Sequence, residues 1–123
     1  MGTVLVVDDS AAVRGLLAEI CVQAGAETVE PCASGAEAMR AAARAKEVSL
    51  VITDVNMPDI TGLELVRFFR DQERFRSLPL FVVSTDSSRE DLERAMRLGA
   101  TRYFPKPFDV ASLTAAIKEA IGG

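Results

Sequence analysis

The sequence contains no histidine at all. Ser-His-Asp and Cys-His catalysis, histidine metal ligation and a phosphohistidine of the chain's own are therefore excluded. Tryptophan is absent too, and aromatic residues make up only 6% of the chain. Cysteine is scarce: Cys21 and Cys32 lack CxxC or metal-ligand spacing, the pattern of reduced, buried thiols in a cytoplasmic chain. Long apolar runs are missing, the longest being four or five residues, so no segment spans a membrane. A basic-then-apolar leader is missing as well, which gives the expectation of a cytoplasmic location. Positive charge is short of balance: the net charge is −4, which argues against non-specific nucleic-acid binding. What remains is ordinary for a globular protein, with 49% hydrophobic and 26% charged residues. A chain of 123 residues predicts one domain. Such a chain buries roughly two thirds of its unfolded surface.

The organising stretch is Leu50-Val-Ile-Thr-Asp54, followed by a proline turn at Pro58. A short apolar run of β-forming residues reads as a strand buried on both faces. Thr3-Val-Leu-Val-Val7 has the same character and stops at Asp8 and Asp9. Leu80-Phe-Val-Val83 ends at Ser84, Thr85 and Asp86, and a short strand around Tyr103-Phe104 leads to Lys106-Pro107-Phe108. Glu27-Thr-Val-Glu30 is a weak strand expected to end at Pro31, which places it at a sheet edge. Helical spacing fills the intervals. Ser10 caps a helix with Val13, Leu16, Leu17, Ile20 and Ala24 inward, terminated by Gly25 in the left-handed conformation. Ser34-Gly35 opens a second helix, with Met39 and Ala42 or Ala43 inward, and Gly62 begins a third with Leu63, Val66 and Phe69 on one side. Ser87 and Ser88 form capping-box spacings with Glu90 and Asp91 ahead of a helix expected to bury Leu92, Ala95 and Met96. Asp109 caps the last helix, with Leu113, Ala116, Ile117 and Ala120 inward. Five alternating βα units predict a flavodoxin-like, doubly wound α/β fold with a five-stranded parallel sheet and five helices. The weak second strand suits the edge in the order 2-1-3-4-5.

In that order the first and third strands are neighbours, so Asp8, Asp9 and Asp54 converge at one sheet end, where open α/β sheets bind ligands. Two like charges about 4 Å apart at an effective dielectric near 20 repel by about 4 kcal/mol. A fold carries this only if a cation sits there or one group keeps a proton. Oxygen-only donors select a hard cation, with Mg²⁺ the candidate, and Lys106 supplies a further positive charge. The alternative for Asp8 or Asp9 singly is a helix cap. Asp54 lies deepest by this logic and is the candidate nucleophile toward a phosphoryl group. Mg²⁺ and Lys106 would neutralise charge on the transferring oxygens.

Val7-Asp-Asp-Ser10, Thr53-Asp-Val-Asn-Met-Pro58, Gly62, Ser84 and Lys106-Pro-Phe108, in this order and at these intervals, resemble a receiver domain of a two-component response regulator. Ser84 lies thirty residues beyond Asp54, Tyr103 forty-nine and Lys106 fifty-two. The resemblance covers the whole chain and implies a single receiver unit, 1–123, without an output domain. It implies Asp54 as phosphoacceptor, with Mg²⁺ held by Asp8, Asp9, Asp54 and the backbone carbonyl of Asn56. Lys106 would contact the phosphoryl group, the Lys106–Pro107 bond would be cis, Ser84 would donate its hydroxyl to the phosphoryl oxygens, and Tyr103 would swing inward behind it. The donor would be a phosphohistidine on a histidine kinase or histidine phosphotransfer protein. The resulting switch would act at the fourth helix, fifth strand and fifth helix, where a downstream protein binds. The only chemistry expected is self-phosphotransfer and autodephosphorylation on Asp54.

Two features depart from the pattern: Thr85 where the family usually has alanine or glycine, and an extra acid, Asp86. Arg89, Arg94, Arg97 and Arg102 tint the fourth helix region basic, either as a solvated face or as a seat for an acidic partner. Met57-Pro58 reads as a plain turn and Asp59 as a solvated turn residue. Two other functions compete with the switch. A haloacid-dehalogenase-type phosphatase would need a DxD nucleophile on the first strand and a cap insertion, whereas Asp8 and Asp9 are adjacent. A receiver-like module that binds regardless of phosphorylation would not need the complete acidic set.

Overall fold

The computed structural model describes residues 2–85 and 89–122. The strands are β1 (Thr3–Val7), β2 (Thr28–Cys32), β3 (Val48–Asp54), β4 (Leu80–Ser84) and β5 (Arg102–Pro105). They alternate with α1 (Ala11–Gln23), α2 (Gly35–Arg44), α3 (Gly62–Arg70), α4 (Arg89–Leu98) and α5 (Val110–Gly122), plus a 3₁₀ turn at Glu73–Phe75. All strand pairs are parallel, in the order β2-β1-β3-β4-β5. This is the doubly wound order that the strand pattern predicts.

Pleating splits the apolar runs between two cores. Leu5, Val7, Val51 and Val82 face α2, α3 and α4, meeting Ala38, Leu65, Phe69 and Ala95. Val4, Val6, Ile52 and Val83 face the other way, onto Leu17, Ile20 and Cys21 of α1 and Leu113 and Ile117 of α5. Each fully buried aliphatic side chain contributes about 1.5–3 kcal/mol relative to exposure.

The helix ends follow local chemistry. The Ser10 side chain accepts from the Val13 amide, and Asp109 accepts from the Ser112 amide. Thr61 and Glu64 close a full capping box at α3, one residue ahead of the Gly62 start. Gly25 ends α1 with φ 107°, and Gly99 follows α4 with φ 115°. The proposed caps Ser87 and Ser88, and Asp86, lie outside the described residues.

Three local expectations need correction, and one open alternative is decided. β2 does not stop at Pro31 but runs through it to Cys32. It is an edge strand paired only with β1, so the missing proline N–H interrupts no second ladder. Leu92 and Met96 of α4 are 39% and 43% exposed, with only Ala95 fully buried. Leu16 of α1 is likewise 48% exposed, while Cys21, one residue beyond Ile20, takes the inward position. Ala42, not Ala43, is the buried member of the α2 pair. Helical periodicity names candidate inward residues, but the width of the covering surface decides which of them are covered.

Candidate functional site

The carboxyl ends of β1 and β3 lie side by side because Val7 pairs with Thr53. Asp8 and Asp54 therefore leave the sheet together. Ligand oxygens of Asp8, Asp9 and Asp54 all fall within 4.8 Å of one another. Asp8 is 1% exposed and Asp54 7%, whereas Asp9 is exposed. Asp8, not Asp54, is thus the deepest acid. It follows a buried central strand, the Ser10 amide donates to its Oδ1 at 2.9 Å, and Lys106 lies against its Oδ2. Asp54 stays nearer the mouth.

The cation comes from the far end of the chain, directly after β5. Lys106 Nζ lies 3.0 Å from Asp8 Oδ2 and 3.5 Å from Asp54 Oδ1. Its backbone is set by the Lys106 amide, which donates to the Ser84 carbonyl at 2.7 Å, and by a cis Lys106–Pro107 bond. Ser84 is fully buried at the end of β4, paired in register with Pro105. Tyr103 is partly buried and packs against the core on the α2–α3–α4 side. Asn56 stands in the exposed loop two residues beyond Asp54.

Two further devices fix the acids. The Arg14 guanidinium donates to the Asp8 carbonyl at 2.8 Å. At the base of the β3–α3 loop, the Gly62 amide donates to the Val55 carbonyl at 2.8 Å. A Cβ at Gly62 would overlap the Asp54 carbonyl oxygen, so glycine is demanded there by close backbone approach. The Arg14 contact escapes a sequence reading although it spans only six positions, because nothing in the chain marks which α1 side chain turns back onto the end of β1. The bonds from the Gly35 and Ala36 amides to the Asp59 carboxylate escape it too, since they join residues 24 and 23 positions apart.

Burial raises the Asp54 carboxyl above its ordinary range; Lys106 opposes this, and the Asp8 charge adds to it. The Val55 amide, donating to Asp54 Oδ1 at 2.8 Å, also favours the ionised form. Three carboxylates against one ammonium leave a deficit that a divalent cation cancels. The donor set is all oxygen, and opposed oxygens on Mg²⁺ lie about 4 Å apart, so this spacing accommodates the ion with small shifts. The residues fit a hard cation.

A parallel sheet in this order, with an acidic trio and a lysine at its carboxyl rim, defines the receiver class of two-component signalling. The sequence profile of the response regulator receiver domain matches residues 4–118. The chain belongs to that family. It is similar to the CheY homologue of Campylobacter jejuni, 30% identical over 118 residues covering 96% of this chain and 91% of the relative. The chemotaxis protein CheY1 of Helicobacter pylori is also 30% identical, over 96% of this chain and 95% of its own. Among solved structures, chemotaxis protein CheY4 of Vibrio cholerae superimposes with a TM-score of 0.87 at 34% identity, covering 98% of both chains. The receiver domain of the Pseudomonas aeruginosa sensor histidine kinase PA1611 carries a magnesium ion coordinated in its active-site cleft. It aligns with a TM-score of 0.85 at 25% identity over 99% of this chain and 98% of its own.

Proposed function

We propose that this receiver domain is a phosphorylation switch in which Asp54 is the phosphoacceptor. The carrying observation is the placement of Lys106 between the buried carboxylates of Asp8 and Asp54. An Asp54 carboxylate oxygen would attack the phosphorus of a phosphohistidine on a histidine kinase or phosphotransfer protein. The P–N bond breaks, the imidazole leaves and takes up a proton, and an acyl phosphate remains on Asp54. Asp8, Asp9, Asp54 and the Asn56 carbonyl would hold Mg²⁺, which supplies charge neutralisation to the transferring oxygens. Lys106, already within reach of Asp54, would follow the phosphoryl group and pair with its oxygens. No chemistry is assigned to the domain beyond this self-transfer and hydrolysis of the acyl phosphate, in which water takes the phosphoryl group as inorganic phosphate and the Asp54 carboxylate is restored.

Ser84 is buried beside this site, and Tyr103 of β5 pairs with Val82, two residues before Ser84 on β4. A hydroxyl drawn to new phosphoryl oxygens would vacate space for the ring, turning a local charge change into a changed α4–β5–α5 surface. Arg89, Leu92, Tyr103 and Pro105 line a cavity of about 300 Å³ on that surface. Exposed Leu92 and Met96 of α4, with Arg89, Arg94 and Arg97 on the same helix and Arg102 on β5, would suit an apolar, acidic partner segment. Charge reversal of Arg94 and Arg97 that left partner binding intact would remove that part. Similarity to chemotaxis proteins favours a chemotaxis-type regulator over a phosphorelay intermediate. Among the described residues no helix is long and apolar enough to cross a membrane, and we place the protein's action in the cytoplasm. The test is incubation with acetyl phosphate and Mg²⁺ followed by intact mass. Wild type should gain one phosphoryl group and Asp54→Asn none; equal gain in both would overturn the assignment.

A further inference from the structure

Every N-terminal amide of α2 has an acceptor, and two of these acceptors come from a distant loop. The Glu37 amide donates to Ser34 Oγ at 3.2 Å. The Gly35 amide donates to Asp59 Oδ1 at 3.3 Å and the Ala36 amide to Asp59 Oδ2 at 3.0 Å. These are the orphan donors that any helix start must satisfy. One carboxylate receives both, with the positive end of the helix dipole behind them. The Ile60 amide, then those of Ala36 and Gly35, hold the Asp59 carboxyl below its ordinary range. Contact is close as well as polar: a Cβ built on Gly35 would stand 2.8 Å from Ile60 Cβ, so the helix start rests on the loop.

That loop runs from Asp54 to Gly62 and carries Asn56. Its base is closed by the bond from the Gly62 amide to the Val55 carbonyl. Beyond that closure, the bonds from α2 to Asp59 hold its outer half.

We infer that Asp59 is a positioning residue that pins the β3–α3 loop to the start of α2 and so pre-forms the wall of the cation site. The inference rests on the reading that Asn56 offers its carbonyl to Mg²⁺. An exposed aspartate in a turn would ordinarily be a solubilising residue, but a solvated side chain does not bridge two elements 23 and 24 positions apart. With the loop released, the carbonyl of Asn56 must be ordered again each time the ion binds, and affinity falls by that cost. Outer partners of metal ligands contribute about 10- to 100-fold in affinity, and an exposed one belongs at the low end.

The experiment is calorimetric titration of the full chain with Mg²⁺ for wild type, Asp59→Ala and Asp59→Asn, with hydrogen exchange of the Gly35 and Ala36 amides followed without the ion. Asp59→Ala should weaken Mg²⁺ binding by about tenfold. It should also speed exchange at those two amides while the sheet amides of β1 and β3 stay protected. Asp59→Asn keeps one acceptor oxygen and should recover part of both. Equal Mg²⁺ affinity in wild type and Asp59→Ala would overturn the inference and leave the phosphoacceptor reading intact. A wild type that binds no Mg²⁺ would overturn both. Loss of β1 and β3 protection along with the affinity would show a merely structural role and also overturn it.

Discussion

Replacing Asp54 by asparagine should make the ion-free protein more stable at neutral pH, although it removes a partner of Lys106. The nearest Lys106–Asp54 approach is 3.5 Å, worth about 5 kcal/mol at an effective dielectric near 20. Asp8, within 4.8 Å, opposes it by at least about 3.5 kcal/mol on the same scale. Asp9 adds repulsion that solvent screens. The pairwise charges thus nearly cancel, and the cost of burying the carboxylate, several kcal/mol for a fully desolvated ion, decides the sign. Asparagine keeps the oxygen that accepts from the Val55 amide and from Lys106, and it turns an amide toward the other acids. The expected gain is about 1–2 kcal/mol, allowing for the partial exposure of Asp54. The pH dependence follows from the raised folded value. The native state binds more protons than the unfolded chain above the ordinary value of 3.8, so wild-type stability falls as pH rises from there to the folded value. The advantage of asparagine should therefore be absent at low pH, grow through that window and level off above it. Urea titrations in EDTA across pH give both quantities, and repetition with saturating Mg²⁺ should erase or invert the difference. A less stable Asp54→Asn in EDTA at neutral pH would refute the reasoning.

Three other outcomes are expected. Lys106→Met leaves two buried carboxylates without their ammonium; stability in EDTA should drop by about 3 kcal/mol, with part recovered in Mg²⁺, as urea titration reads. Arg70 donates to the Gly99 carbonyl at 2.9 Å and the Phe75 carbonyl at 2.8 Å, joining α3 to the end of α4 and to the 3₁₀ turn. Arg70→Ala should lose about 2–3 kcal/mol by chemical denaturation while leaving acetyl-phosphate labelling of Asp54 in place. Burial pushes the thiols of Cys21 and Cys32 up to about 12 and about 11, so a disulfide reagent at neutral pH should label neither until urea opens the chain. Rapid labelling of the native protein would contradict the buried placement.

Much of the architecture was legible because it follows from local chemistry. Four-residue apolar runs closed by polar residues mark buried parallel strands, and helical spacing between them leaves little choice of topology. Asp8, Asp9, Asp54 and Lys106 were readable for the same reason: each ends a strand, and all parallel strands end on one rim. Relative depth was not readable. Asp8 lies beneath Asp54 because the Ser10 turn and Lys106 cover it, and those contacts join positions up to 98 residues apart.

The sequence by itself determined the order of elements, the identity of the acidic rim and the exclusion of histidine chemistry, since periodicity, strand ends and composition are properties of neighbours along the chain. Tertiary structure alone decided which inward candidates are covered, leaving Leu16, Leu92 and Met96 exposed. It alone turned Asp59 from a turn residue into the acceptor for the start of α2. Covering and long-range hydrogen bonding depend on what the rest of the chain brings into place, and that is set only when the two cores close on the sheet.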